Sequence, residues 1–218
     1  EPPTEPIRDD AVAASVRWFS RGTSPGTLGL RAEFLRDFIQ QHTAGGTLTL
    51  LTKVVNHFAA GRVPMDVQPC FAGAALNALT KKDGGIRPIA AGETLRRLTA
   101  KCMCSAARDD AGAYFSPFQL GVAAKCGTES VVHKIRADFA AQLDSKDFVI
   151  FKVDLSNAFN NVSRASMLHE VREHFPRLSR WMQWCYTQQS HLSFGDYTIM
   201  SDEGTQQGDP LGPLGFAV

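Results

Sequence analysis

The chain has 218 residues, 44% hydrophobic and 21% charged, with 23 Lys+Arg against 22 Asp+Glu. That length allows one large domain or two small ones, burying about 70% of the unfolded surface, and the composition excludes disordered, collagen-like and coiled-coil classes. No apolar run approaches the ~20 residues that span a bilayer, and a net charge of +1 argues against a chain that coats nucleic acid by bulk charge alone.

Residues 1–9 are rich in Pro and charge and read as loose. Asp10 is placed to cap a first helix with Val12, Val16 and Phe19 on one face. Ser24-Pro25-Gly26 is a loop, followed by a second amphipathic helix with Leu30, Phe34, Leu35 and Phe38 at helical spacing. A third helix is predicted from about Thr47 to Ala60, with Gly61 as a left-handed cap. Leu76–Thr80 and Ile86–Ala90 flank Asp83-Gly84-Gly85 as a hairpin. Helices are predicted over about 93–110 and, with Thr128 as cap, over 129–143.

The near-continuous apolar run Phe148–Val153 reads as a strand covered on both faces, ending on Asp154. Helices over about 164–175 and 177–189 are separated by Pro176, and a hairpin around Gly195-Asp196 suits a type II′ turn. Helices dominate first and strands mix in later, so the fold class is α+β.

The five cysteines are scattered, with only Cys102 and Cys104 close together, and read as buried free thiols in a reducing compartment. His169 and His174 stand five apart and diverge by about 140° on a helix, so they read as surface histidines rather than metal ligands. The net charge hides an uneven distribution. Residues 79–108 carry seven basic groups against Asp83 and Glu93, net +5, whereas residues 109–218 are net −4. Lys81, Lys82, Arg87, Arg96, Arg97, Lys101 and Arg108 form that cationic stretch, which suits a phosphate-bearing ligand as well as a solvated face.

Three features bear chemistry. Asp154 ends a predicted buried strand, where a carboxylate can meet a hard metal ion or cap a turn. The Gly- and Pro-dense Thr205–Leu214 segment reads as a loop entering a helix. Lys81 and Arg87 sit on a glycine-turned hairpin and could clamp a triphosphate.

Together these motifs, from about Gly22 onward, resemble the reverse transcriptases of non-LTR retrotransposons and their group II intron relatives. The resemblance rests on Lys81-Lys82-Asp83-Gly84-Gly85-Ile86-Arg87-Pro88-Ile89, on Phe118-Gln119-Leu120-Gly121-Val122, on Lys152-Val153-Asp154-Leu155-Ser156-Asn157-Ala158-Phe159, and on Gln207-Gly208-Asp209-Pro210-Leu211-Gly212-Pro213-Leu214. It implies a right-hand polymerase with an N-terminal extension (1–21), fingers (22–145) and a partial palm (146–218). It implies RNA-templated DNA synthesis on a DNA primer from deoxynucleoside triphosphates, with two Mg²⁺ ions, in an intracellular protein, nuclear or cytoplasmic. Asp154 would ligate metal with the Leu155 carbonyl assisting. Lys81 and Arg87 would hold the triphosphate, and Asn157, Ala158 and Phe159 would line the nucleotide, the Phe159 ring excluding a 2′-hydroxyl. Gln207 and Gly208 would meet the nucleotide and template base, and Gln119 and Gly121 the template.

The chain departs from the family at Gly212, where many relatives have Ser, and at Gly215, which interrupts an apolar run and is expected to weaken its helix by about 1 kcal/mol. The family's aromatic-x-Asp-Asp motif does not occur after Gln207, and the last residues lie within an apolar run. The sequence therefore reads as a fragment, inactive alone. Arg108-Asp109-Asp110 reads as an exposed acidic helix end, not a substitute for that motif. Alternative readings are a non-catalytic polymerase-derived module that binds RNA or protein, an RNA-dependent RNA polymerase, and a helical scaffold.

Overall fold

The computed structural model describes residues 5–40, 44–82, 84–142, 145 and 147–218. Three helices come first: α1 (Asp9–Arg17), α2 (Ala32–Gln40) and α3 (Ala44–Ala59). A 3₁₀ turn (Met65–Val67) and α4 (Gln68–Phe71) lead into the hairpin β1 (Ala74–Thr80) and β2 (Ile86–Gly92). There follow α5 (Thr94–Ala106), α6 (Arg108–Phe115), α7 (Gly127–Ala141), α8 (Ala158–Asn161), α9 (Arg164–His174) and α10 (Pro176–Tyr186). A second hairpin, β3 (Ser190–Phe194) and β4 (Tyr197–Ser201), precedes α11 (Gly212–Ala217). The described strands form one sheet in the order β2-β1-β3-β4, with β1 and β3 parallel and both hairpins antiparallel. This is the mixed helix-and-sheet architecture expected of fingers with part of a palm. Among the described residues no helix is long and apolar enough to cross a membrane.

Two apolar clusters hold the elements. Val12, Val16 and Phe19 pack with Leu35, Val55, Leu98 and Cys102, joining α1, α2 and α3 to α5. A larger, aromatic cluster joins α3, α5 and α6 to α9, α10 and α11. Within it Phe58 stacks on Phe71 at 5.0 Å and Trp181 on Trp184 at 5.4 Å, offset contacts that add to a large buried area. Gly215 belongs to this packing: a Cβ there would lie 2.9 Å from Met182 Cε and 3.0 Å from Met167 Sδ. Gly215 thus lies in close contact with α9 and α10, against the flexible ends of two Met side chains, in addition to its helix cost.

Several local expectations are met for stated reasons. Gly61 (φ +63°) ends α3 in a Schellman motif, its N–H donating to Phe58 O at 2.8 Å and that of Arg62 to His57 O at 3.2 Å. Pro176 opens α10 at a position where no amide donor is needed. Gly195 has φ +57° and Asp196 does not share its sign, as a type II′ turn requires. His174 pairs with Glu170 at 3.4 Å on the surface, and His169 is exposed.

Other expectations are corrected. Asp10 lies inside the first turn of α1, whose N-cap is Arg8, and accepts from Ala11 N at 3.0 Å. Thr128 is within α7, which is capped by Cys126 in a left-handed conformation. Leu143, at the end of that predicted helix, and Asp83, in the first hairpin turn, lie outside the described residues. The helix over 93–110 breaks at Ala107, so Arg108-Asp109-Asp110 begins α6, where both acids face the positive end of the helix dipole. Phe34 and Phe38 of α2 stay exposed while Leu35 is buried. All five cysteines are free, but Cys70 and Cys126 are exposed and Cys104 is half-buried.

The largest correction concerns Phe148–Val153. This segment is extended but forms no strand, and Val149 and Phe151 are 78% and 87% exposed. A near-continuous apolar run supplies strand propensity, but a strand also needs a neighbouring ladder. None of β1–β4 pairs with these residues.

Candidate functional site

The β1–β2 hairpin carries the cations. Leu79 opposes Arg87 in the antiparallel register, and Lys81 N donates to Gly85 O at 2.7 Å, which continues the ladder by one step. Side chains alternate across a strand, so Lys81, Leu79 and Arg87 share one face, with Lys81 and Arg87 as diagonal neighbours about 7–8 Å apart. Both cations are exposed. Of the rest of the cationic stretch, Lys82 and Arg108 are also exposed, but the other three are not available in the same way. Arg96 is buried at 1% exposure, Arg97 donates to Ser24 O at 2.6 Å, and Lys101 lies 5.0 Å over the Phe19 ring.

The Gln206–Asp209 segment forms an arch. Gln206 and Asp209, its two feet, are buried, while Gln207 is half-exposed and Gly208 exposed. The carbonyl of Gln207 accepts Ala90 N of β2 at 3.1 Å. Gly208 has φ +123°, and a Cβ there would lie 2.5 Å from Ala90 O, so this residue type is what allows the arch to rest on β2.

One guanidinium ties both feet. Arg96 donates through Nη1 to Gln206 Oε1 and to Ala72 O (2.7 Å), and through Nη2 to Asp209 Oδ2 at 2.8 Å. The Tyr186 hydroxyl donates to the same Oδ2 at 2.6 Å, and Leu211 N donates to Oδ1 at 3.0 Å. Gln206 Nε2 also bonds Ala72 O at 2.7 Å. Burial, the largest single influence, would by itself loosen the Arg96 proton, but the Asp209 carboxylate together with Cys185 and Tyr186 moves its pKa upward. Burial, reinforced by the same carboxylate, pushes the Tyr186 phenol well up, which keeps it a donor. Burial pushes the nearby Cys185 thiol up to about 12 and keeps it inert.

The arch also meets the segment after Asp154. Asn157 (φ +52°) turns the chain into α8, which holds Ala158 and Phe159. Thr205 N donates to Phe159 O at 2.7 Å and Gly204 N to Val162 O at 3.0 Å. The Phe159 ring stacks on Phe216 at 4.6 Å. Arg164 of α9 clamps the approach to the arch, donating to Gly204 O at 3.0 Å and Ser201 O at 2.9 Å.

The structure thus brings together β2 of the cationic hairpin, the Gln207–Gly208 arch and the Asn157–Phe159 turn. It does not gather the remaining candidates. Asp154 and Leu155 lie on the exposed extended segment. Gln119 accepts Gly121 N at 2.7 Å in a local turn. The residues after that turn approach the arch from behind, where Val122, Ala123, Pro210 and Leu214 line a cavity of about 480 Å³. Among the described residues no three His, Cys, Asp or Glu side chains gather as a metal site.

A family model described as "Reverse transcriptase (RNA-dependent DNA polymerase)" matches residues 79–218, more than half of the chain. The chain belongs to the reverse transcriptase family. It is also 27% identical over 227 residues to the "Retrotransposable element SLACS 132 kDa protein" of Trypanosoma brucei gambiense, a match covering 100% of this chain and 18% of that protein. The chain therefore spans about a fifth of that relative's length. The reverse transcriptase match begins one residue before the end of β1, so it takes in the cationic hairpin tip, Arg96, Asp154 and the arch, and leaves α1–α3 outside.

Reverse transcriptases generally use divalent metal ions. Asp154 and the adjacent Leu155 carbonyl are hard oxygen donors that suit part of one Mg²⁺ shell, which ordinarily retains several waters. Among the described residues no cluster of three or more His, Cys, Asp or Glu side chains completes a shell for either of two ions.

The residues that sequence reasoning missed are Arg96, Gln206, Asp209, Tyr186 and Arg164. Each touches the arch or its approach through contacts more than 15 residues apart in sequence. A related test concerns Gly204, whose φ is +66° and whose added Cβ would lie 2.3 Å from Asn160 O. Gly204→Ala is expected to destabilise the chain by about 3 kcal/mol, from backbone overpacking plus the left-handed conformation. Urea unfolding of the 218-residue chain checks this, and a loss under about 1 kcal/mol would show that the Asn160–Gly204 contact yields easily.

Proposed function

We propose that the chain is the fingers (22–145) and part of the palm (146–218) of an enzyme of a retroelement that copies RNA into DNA. The observation that carries this reading is a pair of backbone bonds: Gln207 O in the arch accepts Ala90 N of the cationic hairpin at 3.1 Å, and Thr205 N, just before the arch, donates to Phe159 O of α8 at 2.7 Å. That arrangement gives a nucleotide one wall of cations and one floor of backbone. Lys81 and Arg87 hold the triphosphate, Gln207 and Gly208 face the nucleotide and template base, and Asn157, Ala158 and Phe159 lie beside the sugar. The Phe159 ring, fixed by Phe216, leaves no room for a 2′-hydroxyl. Gln119 and Gly121 lie along the template. Asp154 and Leu155 offer oxygens to a divalent ion, whose chemistry when bound is to stabilise charge on the transferring phosphate. The 218 residues alone do not extend a primer on this reading, because one carboxylate cannot supply the ligands of two ions and no three His, Cys, Asp or Glu side chains gather as a metal site among the described residues.

The test is primer extension by the full-length gene product on an RNA template with a DNA primer and Mg²⁺. Deoxynucleotide addition is expected, and Arg87→Ala should raise KM for the triphosphate by roughly 10-fold or more, the worth of a charge-assisted hydrogen bond. Extension with ribonucleotides in preference would favour an RNA polymerase. Template binding with no extension under any of these conditions would favour a non-catalytic RNA-binding module.

A further inference from the structure

We infer that Arg96 and Tyr186 are positioning residues that act through Asp209 to set how the Gln207–Gly208 arch meets a nucleotide, and so govern discrimination between correct and mismatched nucleotides. The inference rests on the reading that Gln207 and Gly208 face the nucleotide.

The arch is held at its two buried feet and is accessible only between them. One side chain, Arg96, bonds Gln206 and Asp209, so neither foot can move without straining the same guanidinium. Arg96 belongs to α5, which begins two residues after β2, and the arch is bonded to Ala90 of β2 itself. The height of the arch is therefore referred to the strand that carries Arg87. A triphosphate held by Arg87 and a base resting on the arch are measured against one rigid frame.

A buried ion pair is not what stability alone favours. Desolvating both charges costs much of what their attraction returns, and apolar replacements of similar volume are often as stable. Polar networks can, however, specify one geometry where apolar contacts allow several, and this one engages both terminal nitrogens of Arg96, leaving only its buried Nε without a partner among the described residues. Here Asp209 spends both carboxylate oxygens, Oδ2 on Arg96 and Tyr186 and Oδ1 on Leu211 N. Its orientation is fixed from three directions, which is more than ion pairing alone requires. Tyr186 matters because its hydroxyl sets which way that carboxylate faces, while its ring lies against Arg96 (5.4 Å) and Arg164 (5.3 Å).

Tyr186→Phe isolates the positioning role, since the ring and its packing remain and one hydroxyl is lost. In the full-length gene product, kcat for the correct nucleotide should stay within about 2-fold. KM should rise by about 10-fold, and the ratio of kcat/KM for correct over mismatched nucleotide should fall by a similar factor. The thermal midpoint of the 218-residue chain should drop by about 2–4 °C, as for loss of one ordinary hydrogen bond. Arg96→Lys, which keeps the charge but loses the fork that spans both feet, should reproduce the KM and discrimination changes. Val171→Ala, in the buried core of α9, should lower the midpoint at least as much and move neither KM nor discrimination. Gln207→Ala separates the two claims. If it leaves KM and discrimination unchanged, the nucleotide-facing reading fails and this inference with it. If it raises KM while Tyr186→Phe does not, the arch reading stands and the network is structural only, which overturns the inference.

Discussion

Replacing Arg96 with Met is expected to lower the unfolding free energy of the 218-residue chain by about 3–5 kcal/mol, the cost of leaving one partner of a buried ion pair alone. Both side chains of the Arg96–Asp209 pair are 2% exposed, so water cannot replace the lost bonds. The substitution strands Asp209 Oδ2 with Tyr186 as its remaining donor and removes one of the two donors to Ala72 O. Natural domains hold only about 5–15 kcal/mol in total, so a loss of this size leaves a substantial unfolded fraction. The exposed Arg8–Asp10 pair supplies the contrast. At a similar separation of 2.7 Å its side chains are 81% and 68% exposed, and Arg8→Met should cause no measurable loss. The double variant Arg96→Met with Asp209→Leu should regain much of the deficit, because both buried charges are then gone. A coupling energy of at least about 2 kcal/mol is expected in the double-mutant cycle. Urea unfolding of the four proteins checks this, and a single-variant loss below about 1 kcal/mol would show that the network is not held tightly.

The contrast between Arg96 and its neighbours marks how far sequence reading could reach. Arg96 and Arg97 are adjacent on one helix, and nothing in their local pattern separates a buried staple from a half-buried surface contact. The difference comes from Asp209 and Gln206, more than a hundred residues away. Local chemistry, by contrast, was readable. Gly84 with φ +83° closes the first hairpin, Gly61 caps α3, and Pro176 divides α9 from α10, each because one residue type satisfies a backbone demand within a few positions. The order of the family motifs was readable in the same way: the arch is bonded to Ala90, just past the first of them, and Thr205, just before the arch, is bonded to Phe159 of another. Strand formation over Phe148–Val153 was not, since a near-continuous apolar run states a preference and pairing depends on a neighbour the pattern cannot name. The break at Ala107 was hidden for a similar reason: helix-favouring residues run through it, and Ala107 at the break and Ala111 beyond it both pack into the aromatic core.

The small net charge of +1 also resolves differently once burial is known. Arg96 neutralises Asp209 inside the protein, and Arg97 and Lys101 are engaged by Ser24 and Phe19. The cations left on the hairpin face are Lys81 and Arg87, with Lys82 also exposed. Phosphate attraction is therefore concentrated at the hairpin tip, the part of β2 farthest along the strand from the arch. A triphosphate reaching from the tip toward Ala90 would follow the strand rather than a broad basic surface, and high salt should weaken its binding accordingly.

Asp154→Asn should reduce primer extension by the full-length gene product by at least about 10³-fold and leave the unfolding of the 218-residue chain unchanged. The two halves of this expectation have separate causes. Asp154 is exposed on an extended segment and makes no ion pair among the described residues, so an amide of the same shape disturbs no packing. The chemical loss is large because a carboxylate is a charged oxygen donor for a hard cation, and an amide oxygen is a weaker, neutral one. Stabilisation of transferring phosphoryl charge by a bound divalent ion is worth several kcal/mol, and each 1.4 kcal/mol is about a factor of ten in rate. Lys152→Ala, two residues earlier on the same exposed stretch, should change extension by less than about 3-fold, which separates the carboxylate from the segment that carries it. Single-turnover extension across a Mg²⁺ titration is the measurement. Retention of more than a tenth of the wild-type rate by Asp154→Asn would remove Asp154 from the catalytic group. A large loss accompanied by an equal shift in unfolding would mean that the segment is packed in the enzyme and that Asp154 serves the fold.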